Sequence, residues 1–134
     1  MKRILSLVLG LTIFAAACAD PVAPAAPTPV LPTISETFND TLIQFGSNTH
    51  QFTVQQVGGL KVSLSAVSPP ASVSFGVGTQ SLVGCTVISQ KKYEPGATAQ
   101  LSGTATTTGQ FCVMVFDNGA LAEPVTYTVS VLHS

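Results

Sequence analysis

The segment Leu60-Lys61-Val62-Ser63-Leu64-Ser65-Ala66 decides the fold class, because apolar and polar residues alternate strictly along it. A period of two places every second side chain on the same face of a β-strand. The same alternation recurs in residues 50–55, 73–77 and 126–131. No stretch of a dozen residues after Thr33 carries the 3.6-residue period of an amphipathic helix. The chain therefore predicts an all-β domain.

Turn-forming residues separate these alternating runs. Clusters of Gly, Pro, Asn, Asp and Ser occur at 45–48, 58–59, 68–70, 94–96 and 117–119. They delimit predicted strands at 36–43, 49–56, 60–66, 72–77, 84–89, 98–105, 110–116 and 125–132. Seven or eight short strands at this spacing are typical of an antiparallel β-sandwich. We predict such a sandwich over residues 35–134.

The N-terminal residues have the composition of an export signal. Lys2 and Arg3 precede the apolar run Ile4–Ala17, which ends in three small alanines. This order of positive charge, apolar core and small residues is typical of a secretory signal peptide. The run is 14 residues long, whereas a membrane-spanning helix needs about 20. We predict that residues 1–17 are a cleaved signal peptide; a retained anchor is the alternative.

Cys18 follows the alanines directly, and this arrangement resembles the lipobox of bacterial lipoproteins, with Ala15 where that family usually has Leu. In that family the cysteine thiol receives a diacylglycerol, the chain is cut before the cysteine, and the new amine is acylated. The resemblance implies fatty acylation of Cys18 with chains such as palmitate. It also implies a lipid-anchored protein of the bacterial cell envelope, facing the periplasm or the cell surface. Ordinary signal cleavage and soluble secretion are the alternative.

A proline-rich segment follows Cys18. Prolines occupy positions 21, 24, 27, 29 and 32, and this density favours an extended, polyproline-like backbone. We predict that residues 18–34 form a tether, whose fourteen residues 20–33 reach about 40 Å at about 3.1 Å per residue. A ligand for a proline-binding domain is the alternative.

The charge balance excludes a class of partner. Without residues 1–17 the chain keeps three lysines and six acidic residues, a net charge of −3. A nucleic-acid-binding protein needs a basic patch, so no nucleic-acid partner is expected.

The C-terminal third carries a second resemblance. The run Gly109-Gln110-Phe111-Cys112-Val113-Met114-Val115, followed by Tyr127-Thr128-Val129-Ser130-Val131, resembles the end of the bacterial pre-peptidase C-terminal domain. Residues 52–54 and 58–64 fit the front half, so the resemblance spans 36–132. It implies a jelly-roll-like sandwich and a non-catalytic role. Residues 72–75 lack the acidic side chains that the family usually carries there.

Residues that could perform catalysis or bind metal are few. His50 and His133 are the two histidines, and no Gly-X-Ser-X-Gly nucleophile elbow occurs. The oxygen-rich pairs Asn39-Asp40 and Asp117-Asn118 favour turns, and the Cys and His spacings do not fit zinc. We predict no catalytic residue, no metal and no cofactor.

Cys85 and Cys112 are the two thiols that remain beside Cys18. Disulfides persist outside the cytoplasm, so we predict a Cys85–Cys112 bridge. Closing a loop over their 27-residue separation stabilises the fold by about 3.5 kcal/mol. Two free buried thiols are the alternative.

Two features suggest a partner surface. A predicted loop over Ser89–Gly96 brings together Lys91, Lys92 and Tyr93, which could bind an acidic sugar or a protein; a solvated connection is the alternative.

The strand 111–116 is apolar on both faces. Phe111, Val113 and Val115 are predicted to face the core. Met114 and Phe116, on the other face, lie either under the disulfide and residues 119–123 or in a patch where another protein docks.

These observations predict an envelope-anchored, non-catalytic binding or structural module that engages a protein or a polysaccharide. A small secreted hydrolase or an enzyme accessory subunit is the alternative.

Overall fold

Eight β-strands and no helix make up the described part of the chain, which in this computed structural model comprises residues 21–27 and 32–134. The strands are β1 (Ile34–Leu42), β2 (Ser47–Val54), β3 (Gly58–Ser68), β4 (Val73–Ser81), β5 (Gly84–Tyr93), β6 (Ala99–Ala105), β7 (Gly109–Phe116) and β8 (Val125–His133). No described segment is a helix long and apolar enough to cross a membrane. The predicted signal peptide and Cys18 lie outside the described residues.

The strands form two antiparallel four-stranded sheets. The first sheet has the order β1-β8-β3-β6 and the second has the order β2-β7-β4-β5. Sequence neighbours therefore lie mostly in opposite sheets, which is the arrangement of a jelly roll. The prediction of an all-β, jelly-roll-like antiparallel sandwich is confirmed.

The core lies between the sheets and is built from every second residue of the central strands. The faces predicted for β7 and β8 are confirmed, because the inward residues of both strands are buried together in one cluster: Phe111, Val113, Val115, Tyr127, Val129 and Val131. Val62, Leu64 and Phe75 complete its centre. The alternating pattern of the sequence thus translates directly into one buried face per sheet.

Successive strands run in opposite directions along the sandwich, so the connections gather at two ends. Residues 43–46, 69–72, 94–98 and 117–124 connect strands at what we call the distal end. Residues 55–57, 82–83 and 106–108 connect strands at what we call the terminal end. Thr33, which precedes β1, and Ser134, which follows β8, also lie at the terminal end, because Ile34 pairs with His133.

Two glycines let β5 fold closely over the outer face of β4. A Cβ atom on Gly76 would lie 2.5 Å from Cγ1 of Val87 and 2.8 Å from the carbonyl oxygen of Ser89. A Cβ atom on Gly78 would overlap the carbonyl oxygen of Thr86. The register shifts at this point, after Val77, so a β-bulge accompanies the close approach.

The disulfide predicted between Cys85 and Cys112 is present and joins β5 to β7 across β4. Cys112 is fully buried although it faces away from the core. The bridge and the folded-over strand β5 therefore cover part of the second apolar face of β7. Residues 119–123 were predicted to cover this same face, but Leu121 of that connection packs instead in the core cluster.

The loop predicted over Ser89–Gly96 is wrong, because β5 continues through Tyr93. Tyr93 pairs with Val73, whose side chain is in the core, and Tyr93 is only 8% exposed. The tyrosine is therefore a core residue and is not available as the partner contact that the sequence predicted.

Candidate protein-binding surface

The connection between β1 and β2 exposes two large apolar side chains at the distal end. Phe45 is 75% exposed, and Ile43 is also exposed. Single exposed apolar residues are ordinary on protein surfaces. These two, however, project from one four-residue turn whose conformation is fixed by hydrogen bonds.

The backbone of Phe45 has a φ of 56°, which lies in the left-handed region. Aromatic residues rarely adopt this region, and doing so costs on the order of 1 kcal/mol. Three hydrogen bonds hold the turn: Phe45 N donates to Asp117 Oδ2 (2.9 Å), Gly46 N donates to the carbonyl of Ile43 (2.9 Å), and Asp117 N donates to the carbonyl of Gly46 (3.0 Å).

Asp117 is the centre of this arrangement and is only 6% exposed. Its Oδ1 accepts from the amides of Ala120 (2.8 Å) and Leu121 (3.2 Å), so one carboxylate joins the connections 43–46 and 117–124. Burial alone would raise the pKa of Asp117. The amides of Phe45, Gly119, Ala120 and Leu121 outweigh burial and hold that pKa below its usual value. The sequence predicted a turn at 117–119, and in the structure Asp117 of that turn holds the connection 43–46 in place.

The ring of Phe45 lies against the backbone of Gly119. A Cβ atom at Gly119, whose φ is 95°, would lie only 2.7 Å from Cε1 of the ring. Glycine is therefore needed at position 119 for two reasons: its backbone adopts a left-handed conformation, and a side chain there would collide with the ring of Phe45. One side of the ring is supported by the protein and most of the rest faces solvent.

The structure brings three of the predicted partner residues onto the outer face of the second sheet. Phe116 and Lys92 flank Ser74 in the same cross-strand row, and Met114 lies one row further, beside Gly76. Met114 and Phe116 are each partly exposed. Phe116 pairs with Ser47, two residues from Phe45, so this row adjoins the distal end.

The two lysines of β5 have separate surroundings. Lys92 Nζ lies 2.6 Å from Glu94 Oε1 on the surface, and the hydroxyl of Ser72 donates to the same carboxylate. The hydrogen bond from Lys92, followed by that from Ser72, lowers the pKa of Glu94. Lys91 instead reaches across the gap between the sheets and donates to the carbonyl of Gln100 in β6 (3.3 Å). Lys91 is thus not part of the Lys92–Phe116 row.

Both histidines are held along the edge where β1 and β2 meet. His50 Nε2 lies 2.7 Å from the hydroxyl of Tyr127, and its ring stacks on Phe38 at 4.9 Å. Burial lowers the pKa of His50 against an opposing effect of Asp40, and burial raises the pKa of Tyr127 to about 12. His133 is buried, with Nε2 2.9 Å from Glu36 Oε1. The His50–Tyr127 pair joins the two sheets, and the His133–Glu36 pair joins the neighbouring strands β8 and β1 of the first sheet, so both pairs have a structural role.

Other sites for chemistry are limited in the described residues. No group of three or more His, Cys, Asp or Glu residues in 21–27 and 32–134 is arranged to hold a metal ion. An apolar cleft of about 220 Å³ opens between β5 and β6, lined by Leu60, Val77, Ile88, Leu101 and Phe111 among others. Pockets for drug-sized ligands usually measure about 300–1,000 Å³, so the cleft is small for such a ligand.

Comparison with known proteins finds no matching family model and no matching curated protein. Among solved structures, the chain is similar to PliG of Aeromonas hydrophila, a periplasmic inhibitor of g-type lysozyme. The two are 15% identical over 72% of this chain and 83% of that chain, with a TM-score of 0.55. The chain is also similar to the Yersinia pseudotuberculosis-derived mitogen, at 13% identity over 77% and 88% of the two chains and a TM-score of 0.53. These similarities show the fold alone.

Proposed function

We propose that the protein is a non-catalytic module of the cell envelope that binds another protein through its distal end. The observation that carries the proposal is Phe45, an aromatic side chain that is exposed and yet fixed by its backbone and by Gly119. Aromatic anchors dominate the energy of protein interfaces. An anchor that is already ordered loses little further entropy on binding.

The neighbourhood of Phe45 supports a protein partner. Ile43 adds apolar area beside it, and the row of Phe116 and Lys92 adds an aromatic and a positive charge close to the same end. Protein interfaces combine an apolar centre with a polar rim in this way. A periplasmic lysozyme inhibitor shares the fold, which supports protein binding as a use of this sandwich. The partner that we propose is a folded protein of the envelope.

Membrane display is part of the proposal. Cys18 carries the lipid anchor, and the proline-rich tether allows the domain to lie at any distance up to about 40 Å from the membrane. The disulfide is consistent with a compartment outside the cytoplasm. Labelling with a tagged fatty acid should mark the wild-type chain and spare Cys18→Ser; equal labelling of the two chains refutes the anchor.

Crosslinking in cells tests the binding surface. A photoreactive phenylalanine analogue in place of Phe45 should yield a discrete protein adduct, whereas the same analogue at the exposed terminal-end residue Thr107 should not. With the captured protein purified, Phe45→Ala should weaken binding by at least about tenfold, as expected for an interface anchor. Phe45→Gly serves as a second variant, because it removes the ring and also the left-handed strain.

Three outcomes contradict the proposal. Equal affinity of the wild-type and Phe45→Ala chains excludes the anchor. Adducts that contain only polysaccharide exclude a protein partner. Turnover of an ester, peptide or glycoside by the pure protein excludes a non-catalytic role. Because Phe45 is exposed, its variants should keep the circular dichroism spectrum of the wild type.

A further inference from the structure

The terminal end of the sandwich differs from the distal end in charge. Its three connections, 55–57, 82–83 and 106–108, contain no charged side chain. Six of the eight charged residues in the described chain lie in the distal half or its connections: Asp40, Lys91, Lys92, Glu94, Asp117 and Glu123. The other two are Lys61 and Glu36, and Glu36 is paired with His133.

The terminal end also carries the most exposed aliphatic side chains. Leu82 and Val83 are fully exposed, at 107% and 96%, in the two-residue turn between β4 and β5. Val57, in a neighbouring connection at the same end, is exposed as well. Two-residue hairpin turns favour Asn, Asp and Gly. A Leu-Val pair is therefore not required by the turn, and such a departure from local rules is expected where a residue serves function.

The base of this hairpin is firmly held. The hydroxyl of Ser81 donates to the carbonyl of Gly84 (2.9 Å) directly below the turn. Cys85, the next residue, is bridged to Cys112 in the central strand β7. Leu82 and Val83 therefore lie on a rigid turn, so little conformational entropy is lost when they contact another surface.

The proline-rich segment leaves the domain at this same end, through Thr33. We propose that the terminal end rests on a lipid bilayer, with Leu82 and Val83 inserted among the acyl chains at the interface. Apolar contact supplies the attraction, since the connections at this end have no basic residue to attract anionic lipid. The several acyl chains proposed at Cys18 already anchor the protein, so the contact of the hairpin sets the orientation of the domain on the membrane. The inference extends the membrane display proposed above and does not depend on a partner at Phe45.

The absence of tryptophan from the chain makes a direct test possible. Leu82→Trp introduces a single indole at the proposed contact, and Phe45→Trp introduces one at the distal end as the matched control. Both chains, processed in cells and purified, are mixed with phosphatidylcholine vesicles with or without brominated acyl chains. The emission of Leu82→Trp should shift to the blue and lose roughly half its intensity with the brominated lipid, as expected for an indole at the interface. The emission of Phe45→Trp should not change.

Vesicles that contain anionic lipid should give the same result, because the contact is apolar. An unchanged Leu82→Trp emission, whether or not the chain sediments with the vesicles, overturns the inference. Equal quenching of the two indoles overturns the proposed orientation. Leu82 is fully exposed, so the substitution should spare folding, which circular dichroism checks. The crosslinking test at Phe45 is independent, so failure of either proposal is recognised separately.

Discussion

Replacing Asp117 with alanine should destabilise the domain by about 3–5 kcal/mol. The carboxylate accepts hydrogen bonds from the amides of Phe45, Ala120 and Leu121. Phe45 and Ala120 are exposed, so their amides regain water and each loss costs about 1 kcal/mol. Leu121 is buried, and an unpaired buried amide costs about 1–3 kcal/mol.

Urea unfolding followed by far-ultraviolet circular dichroism measures this change. Asn118→Ala is the matched control, because Asn118 is the exposed neighbour in the same connection, and it should alter the free energy of unfolding by less than about 0.5 kcal/mol. A loss for Asp117→Ala as small as that of the control would refute the assignment of Asp117 as the joint between the two connections.

The pH dependence gives a second check on the same residue. The folded-state pKa of Asp117 lies below the unfolded value near 3.8, so its stabilisation is fully present above that value. It is lost as the pH falls through the folded pKa. The difference in stability between wild type and Asp117→Ala should thus be constant from neutral pH down to about pH 5 and should shrink as the pH falls below 3.8. A constant difference at all pH values would contradict the lowered pKa.

Three further predictions concern other parts of the fold. Val113→Asp should prevent folding, because an unpaired buried charge costs several kcal/mol. Met114→Asp, at a partly exposed position, should lower the free energy of unfolding in urea by less than about 2 kcal/mol. The reverse order of the two effects would mean that the faces of β7 are assigned the wrong way round. Replacing Cys85 and Cys112 by alanine should lower the free energy of unfolding by about 3.5 kcal/mol, and an unchanged unfolding midpoint would contradict this. His50 has a lowered folded pKa, so stability should fall as the pH drops below 6.5, and His50→Gln should flatten that fall in thermal melts.

Short-range patterns were sufficient to predict the strands. Each run of alternating residues became a strand within a few residues of its predicted bounds, because one face of each strand had to be apolar. The disulfide was predictable from the number of thiols and from the predicted export of the chain. The error at Ser89–Gly96 came from interpreting the polar residues around Lys91 and Lys92 as a loop. Residues 88–92 are all exposed, so no alternation marks this part of β5, although the strand continues to the buried Tyr93.

The candidate surface could not be found from sequence in the same way. Phe45 stood beside Gly46 in a predicted turn, but its support comes from Asp117, which lies 72 residues later. The pairing of His50 with Tyr127 similarly spans 77 residues and joins the two sheets. No local pattern records such contacts, because they depend on how the sheets face each other. Lipidation of Cys18 and the resemblance to the pre-peptidase C-terminal domain stay predictions.

The pairing of β1 with β8 also determines how the domain resists pulling. In the proposed arrangement the tether pulls at Ile34 and a partner bound at Phe45 pulls beyond Leu42, so the force stretches β1 along its own length. Because β1 is already extended, its covalent backbone carries this force, and the nine pairs that it forms with β8 between Ile34–His133 and Leu42–Val125 need not break. A pull between the two termini would instead open the same ladder one pair at a time, beginning at Ile34. With the proposed anchor at one end and the proposed partner at the other, the load therefore runs along a strand that is already extended.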